Sequence, residues 1–543
     1  MHRTRTLRIA VFGVVALALG ACSSDASTPE SADKQTVRTT AYTRPACRPN
    51  RPAPPKVVPV DGVDRDFTMT SFDGAEIRLH WFPLDHEAPT VLMGPGWGEA
   101  GATETSGSGL FGDAPIPSLQ REGYHVLTWD PRGFGKSTGT ITTDYAGAEG
   151  RDVQRIMDWL ATRPDVQLDA KTDPRVGMVG GSYGGGIQLV TAAIDCRIDA
   201  IVPTIAWHSL DTSLYKAQIV KAGWSNILYN AAAGRDLDPH ITSAYRSGQA
   251  TGSISAADRA WFVSRGPGPL MAKITAPTLF IQGTVDTLFT LDEAVTNYGI
   301  LRRRGVPTAM LWYCGGHGAC LTDGGDPAAT GDATSAWLRR WLRPDASVDT
   351  GPRINVIDQH GTRWTTADWP LRRSGARRAE GTGSLTLQDG GGAGPATPNP
   401  GSKNPIDGIA ASITPSRATN AVDVKVTTTA DVFTLGAPRL TITYSGTTPA
   451  GDRPTRVFAQ LVDDAQNVVV GNQITPVAVQ LDGKSHTLTV PLEIISQQLA
   501  RGETLTLQLV ATTVAYAQPR LGGRVHFTKI RVEVPVVQGL TKI

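Results

Sequence analysis

The sequence has almost no net charge, few cysteines and little apolar sequence of membrane-spanning length. Its 52 Lys and Arg residues nearly balance 50 Asp and Glu residues in a chain of 543, so it lacks the positive excess of nucleic-acid-binding proteins. The apolar run Ile9 to Ala21 has 13 residues, whereas a membrane-spanning helix needs roughly 20. Gly and Pro, at 58 and 37 residues, fall short of the proportion typical of disordered chains. We therefore predict two or three globular domains and no nucleic-acid partner.

Residues 1–21 have the pattern of an export signal. Three arginines precede the apolar run, which is too short for an anchor helix. The run ends in Leu19-Gly20-Ala21-Cys22, which resembles the lipobox of bacterial lipoproteins, where cleavage precedes a cysteine that carries the lipid. We predict an exported protein anchored through Cys22 to the outer face of the cell membrane, with a tether over 22–62. Secretion without a lipid is the alternative.

The five cysteines bear on compartment and on metal binding. Without Cys22 an even number remains, which allows two disulfides in an oxidising compartment. The four are Cys47, Cys196, Cys314 and Cys320. Cys314 and Cys320 are the pair expected to bond, and the pairing of the other two stays open. These two cysteines also flank His317, so a Cys-His-Cys metal site is a competing reading. We predict no metal because no fourth ligand lies nearby in the sequence.

Short apolar runs alternate with helical patterns over residues 63–345, which predicts an α/β domain with a doubly wound parallel sheet. The predicted strands lie at 90–93, 124–129, 175–179, 200–205, 278–281 and 308–313, and a helix is predicted at 150–161. About 70 residues separate the strand near Trp207 from the one at Thr278. Because that length exceeds what a crossover needs, residues 208–270 are predicted to form a helical cap.

The pattern changes after residue 345. Period-two alternation dominates residues 352–543, as in Leu505, Leu507 and Leu509, and favours an all-β jelly-roll sandwich. The chain is thus expected to hold a signal peptide at 1–21, a tether at 22–62, a catalytic domain at 63–345 and a sandwich at 352–543.

The chemistry is carried by a Gly-x-Ser-x-Gly turn between a strand and a helix. Gly180-Gly-Ser182-Tyr183-Gly184 follows an apolar strand, and small residues are needed where such a turn exposes a nucleophile. A serine hydroxyl needs a base, and the base needs an acid to orient it. Asp286 and His317 follow later predicted strands, with glycines on both sides of the histidine. The order Ser182, Asp286, His317 is that of the α/β-hydrolase triad. Asp292 is the fallback acid.

An oxyanion hole needs backbone N–H groups close to the nucleophile. The Tyr183 N–H directly follows Ser182, and the loop Gly94-Pro95-Gly96-Trp97-Gly98 follows a strand of the predicted sheet. We predict the Trp97 N–H as the second donor, with Gly96 as the alternative. The segment Asp130 to Ser137 ends in Gly-Lys-Ser but lacks the first glycine of a phosphate loop, so nucleotide binding is not expected, and Asp130 and Arg132 are assigned a structural role.

Together these motifs resemble the X-Pro dipeptidyl-peptidase and cocaine-esterase (CocE/NonD) family of serine hydrolases over residues 63–543. The resemblance lies in Asp130-Pro-Arg-Gly-Phe-Gly-Lys-Ser, the elbow at Gly180 to Gly185, Gly283 to Asp286, the histidine loop, and Gly361 to Trp364, Asp368 to Pro370 and Val457 to Asp463 in the sandwich. It implies hydrolysis of peptides, amides or esters through an acyl-enzyme, without metal or cofactor. Members often place a tyrosine side chain in the oxyanion hole, where this chain has Trp97.

The sequence therefore predicts a serine hydrolase in which Ser182 attacks, His317 transfers the proton and Asp286 orients the imidazole. Its partners would be a small-molecule or short-peptide substrate and the membrane, reached through the lipid on Cys22. The alternative is a non-catalytic surface binding lipoprotein built on a hydrolase scaffold.

Overall fold

The computed structural model describes residues 42, 44–47, 53–63, 65–105, 116–343, 345, 347–398 and 406–543. The predicted signal peptide, Cys22 and most of the tether lie outside these ranges. Apart from Tyr42, the described residues belong to one compact unit, residues 44–543. Within the described part of the chain, every helix is too short or too polar to cross a membrane.

A twelve-stranded sheet forms the centre of the molecule. Its strands are β1 (Val57–Pro59), β2 (Asp66–Thr70), β3 (Glu76–Phe82), β4 (Thr90–Met93), β5 (His125–Trp129), β8 (Val176–Gly181), β9 (Ile198–Thr204), β10 (Thr278–Gly283), β11 (Thr308–Tyr313), β12 (Ile354–Ile357), β13 (Arg363–Thr366) and the last strand Thr541–Lys542. The strands β6 (Leu168–Ala170) and β7 (Asp173–Pro174) form a separate hairpin. The sheet order is β1-β2-β3-β5-β4-β8-β9-β10-β11-β12-β13, followed by the last strand. The pairs from β5 to β12 are parallel. Strands β4, β8 and β10 are buried along their whole length, as parallel strands covered on both faces must be.

Helices cover both faces of the sheet. Those of the α/β domain are α1 (Ile116–Arg121), α2 (Glu149–Leu160), α3 (Tyr183–Ile194), α4 (Leu210–Leu214), α5 (Ala222–Ala231), α6 (Pro239–Thr251), α7 (Ala256–Val263), α8 (Leu291–Arg303) and α9 (Ala329–Trp341), with short 3₁₀ turns at Lys216–Gln218 and Gly268–Lys273. Successive strand residues point to opposite faces. Leu92 therefore packs in a core with α2, α3 and α8, whereas Val91 and Met93 pack in a second core with α1 and α9.

The cap predicted at 208–270 consists of α4 to α7. Local signals fix its helix ends. The Asp238 carboxylate accepts a hydrogen bond from the His240 N–H (3.0 Å) and Pro239 occupies the first turn of α6. Gly252 ends the same helix in a left-handed conformation (φ 78°). The cap is therefore a folded helical layer.

A β-sandwich follows the sheet. Its elements are β14 (Arg373–Thr386), α10 (Ile406–Ser412), β15 (Ala421–Thr427), β16 (Val432–Gly436), β17 (Arg439–Thr447), β18 (Arg456–Asp463), β19 (Val468–Ala478), β20 (His486–Pro491), β21 (Ile495–Leu499), β22 (Thr504–Val510) and β23 (Arg524–Val537), and the chain ends with β24 (Thr541–Lys542) in the central sheet. One antiparallel sheet has the order β20-β17-β23-β16-β21 with β14 on β23, and the other has β15-β22-β18-β19. Alternate side chains such as Ile442 and Leu507 meet in one core. The predicted fold class, a doubly wound sheet with a helical cap followed by an all-β sandwich, is confirmed.

Two strands lie on the other side of a predicted boundary. β12 pairs in parallel with β11 and β13 pairs with β12, so the central sheet continues past residue 352 and the sandwich begins at Arg373. All four residues of β12 are buried, a pattern that belongs to a sheet covered on both faces and not to a two-faced sandwich strand. Likewise β1, inside the predicted tether, pairs with β2 at the sheet edge.

The segment before β1 is held to the start of β9. Cys47 and Cys196 form a disulfide, and an Arg44 guanidinium nitrogen lies 2.6 Å from a carboxylate oxygen of Asp199. Because Asp199 is near the amino end of β9, residues 44–47 attach near the amino ends of the parallel strands, away from their carboxyl ends.

Candidate active site

Ser182 occupies a strained turn between β8 and α3. Its backbone has φ 55° and ψ −115°, a conformation that L-residues rarely adopt and that recurs at functional sites. The turn packs directly on the loop after β4: a Cβ at Gly180 or Gly184 would lie 2.5 or 2.1 Å from the Gly94 carbonyl oxygen. Glycine at both positions is thus required by backbone contact, as the sequence predicts.

The structure brings the three predicted triad residues into one hydrogen-bonded row. His317 Nε2 lies 2.8 Å from Ser182 Oγ, and His317 Nδ1 lies 2.8 Å from Asp286 Oδ2. Asp286 Oδ1 accepts hydrogen bonds from the main-chain N–H groups of Leu288 and Phe289 (2.9 and 2.8 Å). Ser182, His317 and Asp286 are 7%, 5% and 0% exposed. This row can deprotonate the hydroxyl and stabilise the resulting imidazolium.

The acid and base loops follow β10 and β11 and pack backbone to backbone. A Cβ at Gly283 would lie 1.9 Å from the Gly315 carbonyl oxygen, and one at Gly318 would lie 1.7 Å from the Val285 carbonyl oxygen. The glycines around His317 are therefore needed for the two loops to approach. Cys314 and Cys320 are joined by a disulfide that closes the histidine loop.

The imidazole of His317 is also held by two aromatic rings that the sequence analysis missed as site residues. Trp224 from the cap and Phe289 from the acid loop meet it edge to face, with ring centroids 5.6 and 5.1 Å away. Trp224 Nε1 donates to Thr287 Oγ1 (2.9 Å). The cap therefore contributes to the orientation of the His317 ring, which no local signal in residues 208–270 indicates.

Tyr183 and Trp97 lie with Ser182 in the wall of one cavity. The Tyr183 N–H is the first of α3 and belongs to the N–H groups that a helix start leaves free. The Gly96 N–H donates to a Glu99 carboxylate oxygen (3.1 Å), while the Trp97 main-chain N–H has no acceptor among the described residues. Of the two predicted candidates, Trp97 is thus the one available to a substrate oxygen.

The indole N–H of Trp97 is hydrogen-bonded within the protein. Trp97 Nε1 donates to the Leu228 carbonyl oxygen in the cap (2.8 Å), and the ring packs edge to face on Tyr183 and Phe134. The side chain therefore fixes the loop, and the main-chain N–H of Trp97 is the donor of this residue that has no acceptor among the described residues.

The sandwich supports both loops of the triad. Gln473 Nε2 donates to the Asp286 carbonyl oxygen and Asn472 Nδ2 donates to the Ala319 carbonyl oxygen, each at 2.8 Å. Both donors lie in β19 and are buried. The loops that carry Asp286 and His317 are thus hydrogen-bonded to residues some 150 to 190 positions later, a contact that sequence reasoning did not find.

A buried charged cluster lies beneath the acid loop. Lys221 Nζ donates to the carbonyl oxygens of Thr287 and Leu288 (2.9 and 3.0 Å), and burial lowers its pKa to about 8. Burial opposes ionisation of Glu493 in the sandwich, yet the ammonium groups, Lys216 foremost, lower its pKa to about 2. The cluster therefore joins cap, acid loop and sandwich.

The fallback acid Asp292 belongs to this cluster and not to the triad. Its Oδ2 accepts from the Ile494 N–H (3.2 Å), and burial, together with the adjacent Glu493 carboxylate, raises its pKa to about 8. His317 faces Asp286 instead.

Asp130 and Arg132 lock the loop beside the elbow, in the structural role predicted for them. Asp130 accepts from the Gly101 and Lys136 N–H groups (2.8 and 2.6 Å), and Arg132 makes two hydrogen bonds to Asp152 (2.9 and 2.7 Å). Over the ranges that the structure describes, there is no cluster of three or more His, Cys, Asp or Glu side chains suited to a metal ion.

Comparison with known proteins gives a family model that matches part of the chain and solved structures of similar fold. Residues 73–319 match the family model for X-Pro dipeptidyl-peptidases (S15 family). A CocE/NonD family hydrolase from Staphylococcus aureus superposes with a TM-score of 0.63 at 12% identity, covering 90% of this chain and 98% of that one. An α-amino acid ester hydrolase gives a TM-score of 0.59 at 12% identity, covering 94% and 100%. At these identities the solved structures establish the fold.

Curated sequence relatives match a shorter stretch. A protein of Variovorax paradoxus named as the carbamate hydrolase RutD is 34% identical over 130 residues, which is 23% of this chain and 40% of that protein. This chain matches between 40% and 46% of the length of three curated relatives.

Proposed function

We propose that this chain is a serine hydrolase that cleaves esters or peptides through a Ser182–His317–Asp286 triad and an acyl-enzyme. Its residues 73–319 belong to the X-Pro dipeptidyl-peptidase (S15) family. The observation that carries the proposal is the pair of 2.8 Å contacts on the two nitrogens of His317. Its substrates would be esters, amides or short peptides.

In the first half-reaction, Ser182 Oγ attacks the substrate carbonyl carbon while His317 Nε2 accepts the hydroxyl proton. The carbonyl oxygen becomes an oxyanion, which the Tyr183 and Trp97 N–H groups stabilise. The imidazolium then gives its proton to the leaving group, and the acyl-enzyme forms. Asp286 keeps the Nδ1 proton of His317 in place and stabilises the transient positive charge.

In the second half-reaction, His317 Nε2 takes a proton from water, which attacks the acyl carbon. Collapse of the second tetrahedral intermediate returns the proton to Ser182 and releases the acid. Every proton is accounted for by His317, so the cycle needs no group beyond the residues named.

A fluorophosphonate probe tests this function directly. We expect one phosphonyl adduct per chain, located by mass spectrometry on the peptide that contains Ser182, because only an activated serine reacts at an appreciable rate. Absence of labelling in folded protein would instead support the alternative of a surface binding protein on a hydrolase scaffold. Xaa-Pro anilides and short-chain aryl esters, assayed on the same preparation, then separate dipeptidyl-peptidase from esterase activity.

We also propose that the protein is exported and held to the outer face of the cell membrane by a lipid on Cys22. The lipobox-like sequence and the two disulfides, Cys47–Cys196 and Cys314–Cys320, support an oxidising compartment. Replacing Cys22 by Ala in the full chain should move the protein from the membrane fraction to the culture supernatant. Retention of the variant in the membrane fraction would contradict the anchor.

A further inference from the structure

A cavity leads from Ser182 into the cap. It encloses about 960 Å³ of space, open solvent included, and its lining extends to Tyr215 and Ile254 of the cap. Sixteen of the twenty residues that line it have aliphatic or aromatic side chains, among them Leu214 and Phe262. This lining has the apolar character of a pocket for an apolar ligand.

In three of the lining aromatic residues, the polar atom of the ring is hydrogen-bonded within the protein. Tyr245 Oη donates to Asn226 Oδ1 (2.9 Å), and Tyr215 Oη accepts from the Ile254 N–H (3.3 Å). The Trp97 indole N–H is likewise bonded to Leu228, as described above. What these rings present to the cavity is therefore carbon surface.

The cavity wall offers no free negative charge. Among its lining residues, all of them in the described part of the chain, only Asp211 carries a charge. Both Asp211 oxygens are engaged by the guanidinium of Arg259, with Nε at 2.7 Å from Oδ1 and Nη2 at 2.9 Å from Oδ2. A bidentate pair of this kind leaves the carboxylate already neutralised.

A substrate ammonium would have to give up its water without gaining a counter-charge in this cavity. That loss is costly for any unpaired ion, whereas a neutral hydrocarbon group gains by leaving water. The two kinds of acyl group are thus discriminated by charge more than by shape.

We propose that the cavity binds the acyl part of the substrate, and that this acyl group is neutral and apolar, without a free α-amino group. The inference rests on the proposed serine-hydrolase function and narrows its substrate class to esters and amides of apolar carboxylic acids. It separates this chain from enzymes that release dipeptides from the free amino terminus of a peptide.

Three ethyl esters that differ only at the α-carbon test the proposal. They are the esters of 3-phenylpropanoic acid (α-hydrogen), N-acetyl-L-phenylalanine (neutral amide) and L-phenylalanine, assayed at pH 6 so that the α-amine of the last is protonated. We expect kcat/KM for the ammonium ester to be about 100-fold lower than for the phenylpropanoate, because the ammonium loses its water without gaining a counter-charge. The acetylated ester should lie closer to the phenylpropanoate than to the ammonium ester.

A variant that changes the charge of the cavity wall tests the same proposal with the same two esters. Replacing Arg259, whose side chain is 45% exposed, by Gln frees the Asp211 carboxylate in the cavity wall. The ratio of kcat/KM for the ammonium ester to that for the phenylpropanoate should rise about 10-fold, as one new ion pair in a partly buried site allows. Arg246→Gln, an exposed arginine of α6, is the matched control and should leave this ratio at the wild-type value.

The outcomes separate the two proposals. Equal or faster hydrolysis of the ammonium ester, or an unchanged ratio in R259Q, would overturn the inference about the acyl group. If Ser182 is still labelled by the fluorophosphonate in that case, the serine-hydrolase function stands. If no ester is cleaved and Ser182 is not labelled, the proposed function itself has failed.

Discussion

Replacing Ser182 by Ala should lower kcat/KM by about 10⁴-fold or more, because no other group in the row can form the acyl-enzyme. The Oγ atom lies 2.8 Å from its base and is nearly buried. Alanine keeps the Cβ atom and therefore adds nothing to the backbone strain already present at φ 55°. The thermal unfolding midpoint should change by only a few degrees, as for loss of one hydrogen bond.

The chain contains a matched control for this variant. Ser384 in β14 also lies 2.9 Å from a histidine nitrogen, His526 Nδ1, but on the exposed face of the sandwich. Ser384→Ala should retain wild-type turnover, which would show that removing a serine from contact with a histidine does not by itself lower activity. Wild-type activity in S182A, measured on the ester that the native enzyme cleaves fastest, would exclude Ser182 as the nucleophile.

The local chemistry of the site could be predicted from the sequence because it depends on backbone contacts that only glycine permits. Gly180, Gly184 and Gly318 each stand where a Cβ would meet a carbonyl oxygen, and such positions leave a readable pattern around Ser182 and His317. The strand before each of the three triad residues is a short apolar run. The order of the triad residues along the chain then identifies Asp286 as the acid.

The support around the triad could not be predicted in the same way. Gln473 and Asn472 are polar residues inside a strand, where a buried amide usually serves the sandwich itself. Their contacts to the acid and base loops depend on how the two domains dock. Trp224 lies in a helix with no catalytic motif, and only the fold of the cap brings its ring to His317. Residues that act across an interface carry no local signal.

The boundary near 352 shows the same limit for the fold. Period-two alternation identifies strands that are half buried, but β12 is buried on both faces and shows no alternation. It joins the central sheet because β11 leaves an open parallel edge. The sandwich then returns β24 to this sheet as its last strand, so the two domains share hydrogen bonds that neither segment's pattern indicates.

Asp286→Asn should reduce kcat by about 10⁴-fold while the fold is kept, the scale known for an equivalent change in a serine protease triad. The two main-chain N–H groups of Leu288 and Phe289 donate to Oδ1, so the amide of the variant must place its oxygen there. Its NH₂ group then faces His317 Nδ1 and donates to it. The imidazole proton is forced onto Nε2, which points at Ser182, and the base can no longer accept the hydroxyl proton.

Asp292→Asn is the matched control, because the same change is made six residues further on. Burial and the Glu493 carboxylate raise the pKa of Asp292, so the fold favours the neutral form of this carboxyl, which an amide resembles. We expect turnover within a few-fold of wild type for this variant, since a neutral-for-neutral exchange costs little. A 10⁴-fold loss in D292N together with an active D286N would move the acid role from Asp286 to Asp292. Of these two aspartates, only Asp286 contacts His317, so a large loss in D286N beside a small one in D292N, measured by steady-state kinetics, tests the orientation of His317.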